Sequence, residues 1–360
     1  MARIQDLDPN FSVQNDFDPE EFEFYSIESE PFAVEGLMKG EKGFCRFPPE
    51  VAEKVSGGVH RLNWNTAGGR VRFRSNTTRM VIVVRQHSIP RFAHMPLTGA
   101  RGFDLYSTWD GAWHYERTFV PPYDAEDGYT SMVQLYSNYL SDDRRAEVRD
   151  MTMNFPLYCG VKEVVIGLEK GSVLEAPSPY PLDQTVVYYG SSITQGGCAS
   201  RPGNSYQAII SRRLGCPYVN LGFSGNAKGE TVMAEYISKL PMSVFVMDYD
   251  HNAPDAEHLK RTHEPFFRIV REANPELPIV FLTMPKHRLK PKEEPRREVI
   301  LKTYENALAA GDRNVYYLDG TKLIEGCGTD WAVDLTHPND LGFSFMAKGI
   351  GDLLEQILKK

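Results

Sequence analysis

Thr185-Val186-Val187-Tyr188-Tyr189-Gly190-Ser191-Ser192-Ile193-Thr194 is the stretch on which the fold turns. Its first five residues are β-branched or aromatic and lack the polar alternation of a half-exposed strand. They predict a strand buried on both faces. Tyr218–Leu221, Val244–Asp248, Ile279–Thr283 and Val315–Leu318 have the same character, and helical stretches fall near Ser205–Leu214, Thr231–Leu240, Asp255–Ala273, Arg296–Ala310 and Asp340–Leu358. Such strand–helix alternation predicts an α/β fold with a parallel sheet covered on both faces. Ligands of these sheets bind beyond the carboxyl ends of the strands, and Ser192 follows such an end.

Upstream the pattern changes. Val71-Arg72-Phe73-Arg74, Met80–Val84, Gly102-Phe103-Asp104-Leu105-Tyr106, Met151–Tyr158 and Val161–Leu168 are short β-type runs, separated by turn-formers such as Asn65-Thr66-Ala67-Gly68-Gly69 and Thr108-Trp109-Asp110-Gly111. No amphipathic helix is expected to interrupt them, and the pattern predicts an all-β sandwich or jelly roll. Glu175-Ala176-Pro177-Ser178-Pro179-Tyr180-Pro181 reads as an extended linker, since alternating prolines keep the chain out of helix. The expected organisation is therefore a β domain over 1–174, a Pro-rich linker over 175–183 and an α/β domain over 184–360.

The 360 residues are 41% apolar and 24% charged, as in an ordinary soluble globular protein. A net charge of −8 argues against nucleic acid or anionic membrane as a partner, because no basic face is available to neutralise phosphates. Lys286 to Arg297 is the one Lys/Arg-rich run. It is broken by Pro291, Pro295 and acidic residues, and reads as a solvated loop. The five cysteines are scattered without metal-knuckle spacing, which predicts reduced thiols. Met1 to Pro9 has no apolar core of signal-peptide length, so a cytoplasmic protein is expected, although a processed form would look the same. Oligomeric state is not legible.

Four fragments carry chemistry: Gly190-Ser191-Ser192-Ile193-Thr194, Asn220-Leu221-Gly222-Phe223-Ser224-Gly225-Asn226, Asp248-Tyr249-Asp250-His251-Asn252 and Asp334-Leu335-Thr336-His337-Pro338. Acyl transfer through a serine needs a nucleophile, a base, a carboxylate that orients the base, and donors for the oxyanion. Ser192 supplies the first, His337 the second and Asp334 the third. Gly225, by close backbone approach, and Asn252, by its uncharged amide, are candidate donors. Each fragment alone has a plainer reading, as a capping serine, a surface histidine, a turn glycine or a turn asparagine. Gly222 to Gly229 lacks the Gly-Lys-Ser/Thr of a phosphate loop, no dinucleotide fingerprint occurs, and the serine is not in a Gly-x-Ser-x-Gly elbow. Arg201 is a weak candidate for holding a polar group of the substrate, with a salt-bridged loop arginine as the alternative. Asp248, Asp250 and His251 read as structural rather than as metal ligands, so chelators should not affect activity.

In this order the fragments resemble the four blocks of the SGNH (GDSL-type) hydrolase superfamily, and the resemblance runs from about Thr185 onward. Gly102-Phe103-Asp104-Leu105-Tyr106 is similar to the Gly-x-Asp-Leu-Tyr signature of the β-sandwich that precedes some members. Two departures stand out: Ser191 where block one usually has Asp, and Asp250-His251-Asn252-Ala253 where block three usually reads Gly-x-Asn-Asp. The resemblance implies a flavodoxin-like αβα sandwich and hydrolysis of acyl esters, often acetyl groups on carbohydrates. It makes Ser192 the nucleophile, His337 and Asp334 its base and orienter, and the Ser192 N–H, Gly225 and Asn252 the oxyanion donors. The expectation is thus a serine esterase, without metal or organic cofactor, acting on a small-molecule or oligosaccharide ester. An acyltransferase using the same triad is the first alternative. A carbohydrate-binding protein that has lost catalysis is the second.

Overall fold

The alternation of faces along Val186–Gly190 organises the second half of the molecule. A computed structural model describes residues 17–359, residue 140 excepted. The amino-terminal stretch read for a leader lies outside them. Five parallel strands form one sheet in the order Tyr218–Gly222, Val186–Gly190, Val244–Asp248, Ile279–Leu282, Val315–Leu318. This is the flavodoxin-like arrangement, with a topological switch point beside the first strand. Val186 and Tyr188 face one apolar cluster with Val244, Val246, Val280 and Leu282; Val187 and Tyr189 face the other with Phe245, Met247, Ile279 and Phe281. Every residue of this strand is buried, which is why its sequence is continuously apolar.

Helices Tyr206–Leu214 and Asp340–Leu358 cover the first face; Thr231–Ile237, Ala256–Ala273 and Glu294–Ala309 cover the second. The sequence places all five to within a few residues. Asn339 caps the last helix by accepting from the Gly342 N–H at 3.1 Å. That helix buries Phe343, Met346, Ala347, Ile350 and Leu354, while Leu341 is exposed.

The first half is a β-sandwich. One sheet runs Phe22–Ser26, Gly160–Glu169, Arg79–His87, Gly128–Gln134. The other runs Leu174–Glu175, Arg70–Ser75, Arg149–Asn154, Phe103–Trp109, Ala112–Phe119, with Ala33–Glu35 also paired to Arg70–Ser75. Phe73, Phe103, Phe119, Phe155 and Ile166 are among the fully buried residues of the core between them. Among the described residues, no helix is long and apolar enough to cross a membrane.

Contrary to expectation, helices interrupt the β half; besides the four-residue turns Leu97–Ala100 and Asp142–Arg145, the described residues include Pro49–Val55 and Gly57–Asn63. Each of these last two is only seven residues long, too short for a periodic signal, and Pro48-Pro49 and Ser56-Gly57-Gly58 read as turns. Ser56 caps the second by accepting from the Val59 N–H at 3.1 Å. They add Phe47, Ala52 and Val59 to the second apolar cluster of the parallel sheet, not to the sandwich core. Phe47 is fully buried against Phe223 and Tyr236, at ring-centroid distances of 5.7 and 5.1 Å. Phe47→Ala should therefore cost about 3–5 kcal/mol through the cavity it leaves. In chemical denaturation it should shift the unfolding of the α/β half, read by the fluorescence of the buried Trp331.

Candidate active site

Ser192 stands two residues past the end of the Val186–Gly190 strand, at the start of the short helix Ser192–Gln195. Ser191, where block one usually has Asp, still caps this helix, accepting from the Ile193 N–H at 3.2 Å. Gly190 is required by contact: a Cβ there would lie 2.1 Å from both the Asp248 carbonyl oxygen and Thr194 Oγ1. The turn at the end of the strand is thereby packed against its neighbour.

The structure brings Ser192, His337 and Asp334 together. Ser192 Oγ lies 2.9 Å from His337 Nε2, and His337 Nδ1 lies 2.7 Å from Asp334 Oδ2. Asp334 Oδ1 also accepts from the backbone N–H groups of His337 and Thr336, at 2.7 and 3.0 Å. Leu335 closes this turn at φ +62°. Burial would raise the Asp334 carboxyl, but the hydrogen bonds from His337 and Thr336 outweigh it and hold the group below the usual carboxylate range. An ionised carboxylate therefore takes the Nδ1–H and leaves the Nε2 lone pair for the serine proton.

Around Ser192 the loop after strand Tyr218–Gly222 is shaped by hydrogen bonds. The Phe223 carbonyl accepts from Asn226 N, Ala227 N and the Asn252 side-chain amide, the last at 2.8 Å. Ser224 N donates to Gln195 Oε1 at 2.9 Å. Gly225 sits at φ +70°, and a Cβ there would meet nothing within 4 Å. Backbone conformation, not crowding, calls for glycine. Among the described residues no hydrogen bond uses the Gly225 N–H. Ser192, as the first residue of its helix, has no intrahelical acceptor for its own N–H. Asn252, held by the Phe223 carbonyl, keeps a second amide hydrogen.

The acidic residues before Asn252 are buried. Asp248 Oδ2 accepts from Thr194 Oγ1 at 2.9 Å, and Asp250 Oδ2 from the Met284 N–H at 3.0 Å. Burial pushes Asp250 up to about 7 and Asp248 well above the carboxylate range, with the charge of Asp250 adding to the latter. Burial likewise pushes His251 down to about 3.

The β half reaches the site through polar contacts. In strand Phe103–Trp109, Phe103 and Leu105 enter the sandwich core. Asp104 and Tyr106 alternate to the other side. Asp104, fully buried, accepts from Asn154 Nδ2 at 2.8 Å, from the Gly203 N–H at 2.8 Å and from Arg201 at 3.1 Å. Arg201 also donates to the Tyr106 hydroxyl and lies over the Tyr115 ring at 4.0 Å. Arg201 is thus the salt-bridged loop arginine, its guanidinium engaged by the sandwich. Gln195 Nε2 donates to Asn65 Oδ1 and the Leu157 carbonyl, at 3.2 and 3.1 Å. Arg46 donates to the carbonyls of Gly222 and Leu62 and covers the Phe223 ring at 4.2 Å. Sequence reasoning missed Gln195, Arg46, His94 and Cys198. Gln195, directly after the block-one threonine, is the one whose position offered a signal.

Two outcomes follow from these contacts. Asp104→Ala leaves the buried donors of Gly203 and Asn154 without this acceptor and Arg201 without its ion pair, and should lower unfolding free energy by about 3–5 kcal/mol; Asp104→Asn, which keeps one carbonyl oxygen, should cost less. Asp250 titrates higher folded (about 7) than unfolded (about 3.9). Its contribution is therefore full below the unfolded value and is lost as pH rises through the folded one. Denaturation of Asp250→Asn should show a stability relative to wild type that is higher at pH 8 than at pH 5.

The comparisons with known proteins agree with this architecture. Residues 183–358 match the model of the GDSL-like lipase/acylhydrolase family, and residues 22–174 match that of the N-terminus of SGNH-hydrolase-type esterases. A Bacteroides ovatus protein described as a GDSL-like lipase is 25% identical, with TM-score 0.82 over 94% of this chain and 98% of its own. A salicylyl-acyltransferase from a tetracycline biosynthetic pathway is 21% identical, with TM-score 0.74 over 94% and 98%. A family two carbohydrate esterase from Clostridium thermocellum, in complex with cellohexaose, is 16% identical, with TM-score 0.60 over 91% and 99%. No curated protein matches the sequence.

Proposed function

The chain belongs to the GDSL-like lipase/acylhydrolase family of ester hydrolases, and from that premise we propose that it cleaves acyl esters through Ser192, His337 and Asp334. The observation that carries this reading is the continuous relay of 2.9 and 2.7 Å contacts from hydroxyl to imidazole to carboxylate. In the first half-reaction Ser192 Oγ attacks the ester carbonyl carbon while its proton passes to His337 Nε2. The tetrahedral oxyanion takes hydrogen bonds from the Ser192 and Gly225 N–H groups and the free amide hydrogen of Asn252, each worth about 2–4 kcal/mol of transition-state stabilisation. The C–O bond breaks, the alcohol leaves with the proton from Nε2, and an acyl-serine remains. Water then repeats the sequence, giving up its proton to Nε2 and releasing the acid. Asp334 stays ionised throughout and steadies the imidazolium.

The substrate we propose is an acetyl ester on a carbohydrate or small glycoside. The likeness to family two carbohydrate esterases supports it through fold alone. The transferase reading shares every step up to the acyl-enzyme and replaces water by another hydroxyl. The likeness to the salicylyl-acyltransferase keeps it open for test.

A panel of acetylated sugars and short acyl esters, with product analysis in the presence of competing alcohols, decides between water and another acceptor. Ser192→Ala and His337→Ala should each lower kcat by on the order of 10⁵–10⁶-fold and Asp334→Asn by about 10⁴-fold, with thermal unfolding little changed for Ser192→Ala. Equal rates for Ser192→Ala and wild type would refute the covalent mechanism.

A further inference from the structure

One cluster of metal-ligating side chains among the described residues overlaps the mouth of this site. His94, Cys198 and His337 each offer a ligand atom within 4.8 Å of the others. His94 comes from the segment joining strand Arg79–His87 to helix Leu97–Ala100, and is exposed, with its ring 6.0 Å from that of His337. Cys198 follows Gly196-Gly197 and is 4% exposed. Its φ of +72° is a left-handed conformation that costs a residue bearing a Cβ. The third member already has the arrangement a metal ligand needs: Nδ1–H on a carboxylate, Nε2 bearing the lone pair.

We propose that His94, Cys198 and His337 form a binding site for Zn²⁺, and that its occupation switches the enzyme off by taking the Nε2 lone pair from Ser192. Two imidazoles and a thiolate suit this borderline-soft cation. Bond lengths of about 2.0–2.1 Å to nitrogen and 2.3 Å to sulfur put these tetrahedral ligands about 3.3–3.6 Å apart, so atoms that start within 4.8 Å of one another close by at most about 1.5 Å. Ser192 Oγ, 2.9 Å from Nε2, or a water completes the tetrahedron. On binding, the Cys198 thiol proton leaves to solvent, the sulfur–zinc bond forms, and the Ser192–His337 hydrogen bond breaks. The inhibition rests on the reading of His337 as the base; the binding does not. The site joins the two halves of the chain, because His94 belongs to the sandwich and the other ligands to the α/β half.

Zinc titrations of ester cleavage, paired with Co²⁺ titrations followed by the thiolate-to-cobalt charge-transfer band, test both halves. Wild type is expected to bind one Co²⁺ with that band and to lose activity to Zn²⁺ reversibly on chelation. Cys198→Ala should lose the band and His94→Ala should weaken it at least tenfold, both retaining turnover and becoming at least tenfold less sensitive to Zn²⁺. Ser192→Ala should keep the band, so failure of the serine mechanism and failure of the metal site are told apart. Absence of the band in wild type, its persistence in Cys198→Ala, or equal zinc sensitivity of His94→Ala and wild type would overturn the proposal.

Discussion

The carboxamide of Gln195 is the constraint on which the site depends. It is fully buried, and a buried amide is costly unless both ends find partners. Its nitrogen is satisfied by Asn65 and Leu157 from the β half, and its oxygen by the Ser224 N–H of the loop that presents Gly225. The residue itself closes the helix that begins with Ser192. One side chain therefore fixes the distance between nucleophile, oxyanion loop and sandwich, with no slack for any of the three to move alone. Arg46 repeats the arrangement one residue row away, from the first half to the Gly222 carbonyl. Buried polar groups of this kind set position more than they add stability, because their alternative partners are absent.

Much of this was legible in the residues. The parallel strands and their five helices could be read because the strands are continuously apolar and alternate with the helices, which places even the seven-residue Thr231–Ile237. Ser192, His337 and Asp334 could be read from the order of four fragments that resemble the SGNH blocks; the tight turn that folds Asp334 back to the imidazole, made by Leu335 with a positive φ, was not legible. The helices Pro49–Val55 and Gly57–Asn63 could not be read, since two turns of helix leave no period and their apolar residues serve a sheet that begins more than a hundred residues later. The partners of Asp104 were hidden. Strand alternation shows that it faces away from Phe103 and Leu105, but only the packing of the halves shows that Gly203 and Arg201 wait there.

The acidic segment before Asn252 shows the same division of labour. Asp248 and Asp250 read from sequence as structural rather than as metal ligands, without their partners being visible. In the fold they are buried acceptors for Thr194 and the Met284 N–H, anchoring the strand end from which Asn252 projects. Asp334 is the opposite case. Its side chain is 40% exposed, and it stays ionised through hydrogen bonds rather than seclusion. Burial raises the carboxyls of Asp248 and Asp250, while hydrogen-bond donors lower that of Asp334.

The joint between the halves is apolar in part, but its directed hydrogen bonds have a consequence for exchange. A greasy seam tolerates exchange, since any surface of similar shape will wet it; a seam of directed hydrogen bonds works like a lock. A sandwich borrowed from a cousin would have to offer an acceptor where Asn65 stands, a carboxylate where Asp104 stands and a guanidinium where Arg46 stands, all in one orientation. Exchanging one half without the matching residues of the other would therefore leave these buried groups without partners.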